Sequence, residues 1–275
     1  MNAQDNLTGS TTVDGCRIAW LRMGAGRPLV LLNGYAATKS DWDPKFLERL
    51  AGERELLCID HRGMGESEPG EEEISVERMA RDVLAVIIDL NLSRIPLLGW
   101  SMGGFVAQEA AALQPESVEA LVLLSTDHGG PDTVQMTPAV HAALTDQSGS
   151  PREQATRMIN LLFPPGVAEQ IDAEFGEIVA AARAQLSPDV LEAQGRVLTR
   201  WHTDDAERRI AALRMPALIG TGTEDMVIPP RNAELLAARL ANSWLSRFAG
   251  GGHGFMAQQP RRLAALTLAF LAEAA

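Results

Sequence analysis

Short apolar runs recur along this chain, and each stops abruptly at a glycine or a polar turn. Pro28–Leu32 (PLVLL) stops at Asn33-Gly34, Glu55–Asp60 (ELLCID) at HRGMGES, and Ile95–Trp100 at Ser-Met-Gly-Gly. Val118–Ser125 (VEALVLLS) and Pro216–Gly220 (PALIG) repeat the pattern, and Trp244–Phe248 reads as a last strand. Runs this short, without polar alternation, suit strands buried on both faces. Stretches at helical spacing lie between them. In SVERMARDVLAVIIDL, Met79, Val83, Val86, Ile87 and Leu90 fall on one face, and Ser75 is placed to cap the first turn. Phe46–Leu50, Ser101–Leu113, Pro230–Leu240 and Arg261–Ala274 read as further helices. Strand and helix alternating in this way imply parallel strands joined by crossover helices. The expected fold class is therefore α/β, a mostly parallel central sheet with helices on both faces. Thr11–Val13 and Arg17–Arg22, around Asp14-Gly15, add two short strands at the start.

The alternation lapses between about Gly129 and Arg209. That segment offers helical patches at Thr137–Leu144, Arg152–Phe163, Val167–Leu186 and Asp189–Trp201, punctuated by prolines. It reads as a helical insertion, residues 129–209, in a core built from 1–128 and 210–275. A length of 275 residues accommodates that arrangement.

The net charge of −12 argues against a nucleic-acid partner, which needs a basic face, and against an anionic membrane. The two cysteines, Cys16 and Cys58, are far apart and suggest neither a disulfide framework nor a zinc site. No metal or other cofactor is implied. The first residues, MNAQDNLTGS, lack the apolar core of a signal peptide, and no stretch approaches the roughly 20 apolar residues of a membrane span. A cytoplasmic protein is the expectation.

In an open parallel sheet, ligands bind outside the carboxyl ends of the strands. The residues that follow the strands here are Asn33-Gly34-Tyr35, Asp60-His61-Arg62, Ser101, Ser125-Thr126-Asp127, Asp225 and His253. Ser101 stands in Gly99-Trp100-Ser101-Met102-Gly103 between a strand and a helix, the nucleophile-elbow pattern. A sharp strand-to-helix turn needs small neighbours at −2 and +2, and it aims free N–H groups at an incoming anion. The plain alternative is a serine N-cap. His253, in AGGGHGF, suits the general base that a serine hydroxyl requires. A carboxylate should orient it: Asp225 is favoured, with neighbouring Glu224 and Asp127 as competitors. Met102 N–H and Tyr35 N–H are the expected oxyanion donors. Asn33, Trp100 and His128 are candidate substrate contacts.

These motifs resemble the α/β-hydrolase superfamily: the Asn33-Gly34-Tyr35 loop, DHRGMGES at 60–67, GWSMGG, GTEDMVIP and GGGHGF. The likeness covers nearly the whole chain. It implies that the 60–67 turn is structural and that the insertion is the helical cap, or lid. Many relatives carry His-Gly where this chain has Asn33-Gly34, which alters the bonding of that loop but not its backbone donor. Met136, Leu144, Met158, Leu161, Leu162, Phe163, Phe175 and Trp201 are then available to pack the cap, with a few facing the cleft.

The leading functional expectation is a cofactor-free serine hydrolase that cleaves a small apolar carboxylic ester or lactone through an acyl-enzyme. The same triad also serves carbon–carbon bond hydrolysis, perhydrolysis, thioester hydrolysis or a hydrolase-like small-molecule receptor, because fold does not determine chemistry.

Overall fold

The computed structural model describes residues 6–203 and 206–274, so half of the polar stretch MNAQDNLTGS lies outside the described residues. Eight strands form one sheet: β1 (Leu7–Val13), β2 (Cys16–Gly24), β3 (Arg27–Leu32), β4 (Arg54–Ile59), β5 (Ile95–Trp100), β6 (Val118–Leu124), β7 (Ala217–Gly222) and β8 (Ser243–Phe248). Their order is β1-β2-β4-β3-β5-β6-β7-β8. β2 runs antiparallel to β1 and β4, and all later pairings are parallel.

The helices connecting the core are α1 (Pro44–Ala51), α2 (Val76–Asp89) and α3 (Met102–Leu113). Between β6 and β7 the chain forms α4 (Pro138–Thr145), α5 (Pro151–Leu162), α6 (Pro165–Arg183), α7 (Pro188–Trp201) and α8 (Ala206–Ala212). The alternation then resumes with α9 (Arg231–Arg239), α10 (Phe255–Gln258) and α11 (Pro260–Glu273).

Strand alternation explains why the sheet is covered on both sides. On β3, Val30 and Leu32 enter one apolar cluster with Met79 and Val83 of α2, Val106 of α3 and Leu236 of α9. Leu29 and Leu31 point the other way, into a cluster with Phe46 and Leu50 of α1 and Leu263 and Phe270 of α11. Each such side chain, taken fully out of water, contributes about 2 kcal/mol.

The chain lays β4 on one side of β3 and then crosses to lay β5 on the other. The order reverses at the β3–β5 junction, where such sheets open a crevice at the strands' carboxyl ends. The segments that leave β3 and β5 there are Asn33-Gly34-Tyr35 and Ser101.

Candidate active site

Ser101 joins β5 to α3 with φ 55° and ψ −122°. Positive φ is uncommon outside glycine, costs of the order of 1–3 kcal/mol, and persists only where the surroundings enforce it. Here they do. Ser101 N–H donates to the Leu124 carbonyl at 2.9 Å, and the Ser101 carbonyl accepts from Gly104 N–H at 2.8 Å and Thr126 Oγ1 at 2.9 Å. A Cβ on Gly103 would overlap the Leu32 carbonyl oxygen, so no larger residue fits there. Ser101 occupies the N-cap position of α3, yet its side chain makes no capping bond. Its hydroxyl is left free for other work.

His253 follows β8 and is buried with Asp225, which follows β7. Its Nδ1 lies 2.9 Å and 3.0 Å from the two Asp225 oxygens. A carboxylate only accepts, so Nδ1 carries a hydrogen, and in the neutral imidazole the lone pair is then on Nε2. Asp225 Oδ1 also accepts from Val227 N–H at 2.9 Å and Ile228 N–H at 2.8 Å, which fixes the carboxylate to its own turn. Glu224, the adjacent competitor, is exposed. Trp100 Nε1–H donates to the His253 carbonyl at 3.0 Å, and the two rings stand 5.4 Å apart. Trp100, expected as a substrate contact, thus also holds the histidine loop.

The loop after β3 lies against the serine: a Cβ on Gly34 would stand 3.0 Å from Ser101 Cβ and 3.5 Å from its Oγ. Asn33 is buried. Its Nδ2 donates to the Thr38 carbonyl and its own carbonyl accepts from His61 Nε2 at 3.0 Å, while its Oδ1 is enclosed without a donor. Burial pushes His61 down to about 4, which keeps the imidazole neutral in this structural role. Arg62 forms a buried two-pronged pair with Asp82, at 2.7 Å on both nitrogens. The 60–67 turn is therefore tied to α2.

The turn after β6 engages Asp127, one of the two competitors of Asp225, elsewhere. Its Oδ1 accepts from Trp201 Nε1–H and Gly129 N–H, both at 2.8 Å, and its Oδ2 lies 3.2 Å from His202 Nε2. It joins the helical insertion rather than His253. Trp201 is fully buried, stacked on Phe105 at 4.5 Å and covered by the Arg209 guanidinium at 3.5 Å. His128 is buried beside Asp127, with its pKa lowered to about 4, first by burial and then by Arg239. It lines a cavity of about 160 Å³ with Gly129–Asp132, Ala206 and Glu207, and no residue of the Ser101–His253 region lines that space.

The insertion touches both loops that flank Ser101. The Leu162 carbonyl accepts from Gly254 N–H at 2.9 Å, next to His253, and Gln194 Oε1 accepts from Ala36 N–H at 2.9 Å, next to Tyr35. Phe175, one of the apolar residues expected to pack the insertion or face the cleft, lies exposed on it. Gln194 was not anticipated. Its signal is periodicity: it occupies the middle of the buried stripe Val190, Leu191, Val197, Leu198, Trp201 on α7. Among the described residues no cluster of three or more His, Cys, Asp or Glu side chains is arranged to hold a metal ion, and no helix is long and apolar enough to cross a membrane.

A family model of the α/β hydrolase fold matches residues 27–260. The "Putative carbamate hydrolase RutD" of Azorhizobium caulinodans is 26% identical over 254 residues, spanning 91% of this chain and 93% of that protein. Among solved structures, the meta-cleavage product hydrolase CumD of Pseudomonas fluorescens IP01 superposes with a TM-score of 0.85 at 19% identity, covering 97% of this chain and 98% of its own. A hydrolase from Pseudomonas aeruginosa PA01 gives 0.81 at 27% identity, covering 98% and 99%.

Proposed function

This chain belongs to the α/β-hydrolase family, and from that premise we propose that it is a serine hydrolase of carboxylic esters or lactones. The observation that carries the reading is the state of Ser101: a strained backbone at a strand-to-helix turn with a side chain that caps nothing. Strain held in place by neighbouring hydrogen bonds is a mark of a working position. The His253–Asp225 pair supports it, since it fixes the tautomer that leaves Nε2 as a base.

In this reading Ser101 Oγ attacks the substrate carbonyl and His253 Nε2 takes its proton. The tetrahedral oxyanion rests on the N–H groups of Met102 and Tyr35. Two observations support those donors. Met102 is the first residue of α3, where N–H groups have no partner within the helix. Tyr35 follows the glycine that abuts Ser101. His253 then protonates the leaving oxygen, and a water molecule, activated by the same imidazole, releases the acyl group. The insertion acts as a cap, a role supported by its bonds to Ala36 and Gly254 on the two flanking loops. The protein works in the cytoplasm, without a cofactor.

Ser101→Ala is the test. Turnover of p-nitrophenyl acetate should fall by about 10⁵–10⁶ in kcat, with an unchanged unfolding transition, and labelling by a fluorophosphonate should disappear. Turnover by the variant at the wild-type rate would exclude Ser101 as the nucleophile.

A further inference from the structure

The loop after β3 is anchored at two peptide groups, one on each side of the peptide that joins Gly34 to Tyr35. Upstream, the Asn33 carbonyl accepts from His61 Nε2 at 3.0 Å, and both residues belong to the core. Downstream, Ala36 N–H donates to Gln194 Oε1 at 2.9 Å. Gln194 comes from α7 of the insertion, 158 positions along the chain. The amide between the two anchors is different. Among the described residues Tyr35 N–H makes no hydrogen bond. Its peptide also lies at the nucleophile, since a Cβ on Gly34 would stand 3.0 Å from Ser101 Cβ.

Gln194 carries a cost that an apolar residue would avoid. It is fully buried in the stripe of Val190, Leu191, Val197 and Leu198, and its Nε2 is enclosed without an acceptor. What the amide gains there is the bond to Ala36. Ala36 holds φ at 56°, a left-handed conformation that an alanine keeps only when its surroundings hold it. Two planar peptides meet at Tyr35 Cα, one carrying Tyr35 N–H and the other carrying Ala36 N–H. Fixing the second limits how the first can turn.

We propose that Gln194 is a positioning residue for the oxyanion hole: through Ala36 it holds the peptide between Gly34 and Tyr35 so that Tyr35 N–H faces the oxygen that becomes negative when Ser101 attacks. This rests on the hydrolase reading above. The two oxyanion donors then have different supports. Met102 N–H is set by α3 of the core, and Tyr35 N–H is set jointly by His61 of the core and Gln194 of the insertion. The hole is complete only while α7 is docked, so the insertion acts on the chemical step itself.

The test compares butyl trifluoromethyl ketone with butyl methyl ketone as competitive inhibitors of p-nitrophenyl acetate turnover. Ser101 Oγ adds to the fluorinated carbonyl, its proton passes to His253 Nε2, and the hemiketal oxygen is left negative in the hole. The methyl ketone stays trigonal. Gln194→Met keeps the side-chain length and removes the acceptor for Ala36 N–H. It should lower kcat/KM by about 10- to 100-fold and weaken the fluorinated ketone in the same proportion, with little change for the methyl ketone. The ratio of the two inhibition constants is read within each protein, so a partly unfolded variant does not distort it. Gln194→Glu, which still offers Ala36 an oxygen, should restore part of the loss. Tyr35 is the only tyrosine in the chain, so nitrogen-labelled tyrosine gives one amide signal in a heteronuclear NMR spectrum. That signal should move downfield when the fluorinated ketone binds wild type, and it should broaden or double in Gln194→Met. Equal weakening of both ketones, an unchanged kcat/KM, or a Tyr35 signal that stays single and sharp in Gln194→Met would overturn the proposal. If wild type neither reacts with a fluorophosphonate nor distinguishes the two ketones, the hydrolase reading fails, and the Tyr35 signal still decides whether Gln194 holds the loop.

Discussion

The turn after β6 and the turn after β7 each carry an aspartate three residues past the strand, Asp127 beyond Leu124 and Asp225 beyond Gly222. Each accepts a backbone N–H two residues on, from Gly129 and Val227 respectively, and each meets an imidazole, His202 at 3.2 Å and His253 at 2.9 Å. The local chemistry is nearly the same. The surroundings are not. His253 lies on the loop after β8 and packs at a tilt against Trp100, the neighbour of Ser101. His202 lies on the insertion next to Trp201, which shares the same carboxylate. An aspartate–histidine pair is thus a general fastening for buried loops, and what it fastens decides its role.

The sharpest way to break that comparison is to neutralise each carboxylate in turn. Asp225→Asn should reduce kcat by about 10⁴, measured with p-nitrophenyl acetate, with little change in thermal unfolding. Asp127→Ala should do the reverse. It strands the Trp201 indole N–H and two other donors, so we expect a stability loss of about 3 kcal/mol. That would appear as a melting temperature lower by roughly 6–10 °C, with kcat reduced less than tenfold where the variant is folded. If Asp127→Ala instead lost activity while keeping its melting temperature, the roles would have to be exchanged.

The smallest effect concerns pH. His128, beside Asp127, has a folded pKa of about 4 against 6.5 for the free side chain. Its neutral form is favoured by folding, so its contribution is complete above pH 6.5 and declines as pH falls toward 4. His128→Gln should flatten the stability profile between pH 6.5 and 5 by about 1 kcal/mol, allowing for water that reaches the turn. Denaturant titrations at the two pH values would show it. An unaltered slope would mean that folding does not lower the His128 pKa.

The core was legible in the sequence because parallel strands buried on both faces leave uninterrupted apolar runs, and β3 through β7 fall where those runs are. β1 was read too short: it begins at Leu7, but Gly9, Ser10, Thr11 and Thr12 on an antiparallel edge give no apolar run. α8 was missed because its seven residues, AERRIAA, are too few to establish a period. The pairing of Asp225 with His253 was legible because strand ends converge on one edge. The contacts of Asp127 with Trp201 and His202 were not, since those residues lie more than 70 positions away and no local pattern encodes how their helix docks. Gln194 follows the same rule: periodicity marks it as inward-facing, and only the packed molecule reveals that its Oε1 meets Ala36 N–H.

The bond from the Trp100 indole to the His253 carbonyl joins residues 153 positions apart. A nascent chain synthesised through Asp225 already holds Ser101 and Asp225, but not His253. The sheet must accept β8 at its edge before the imidazole can arrive. In the proposed mechanism hydrolysis cannot begin before β8 has joined the sheet, and the onset of activity toward p-nitrophenyl acetate on stalled ribosomes would time that step.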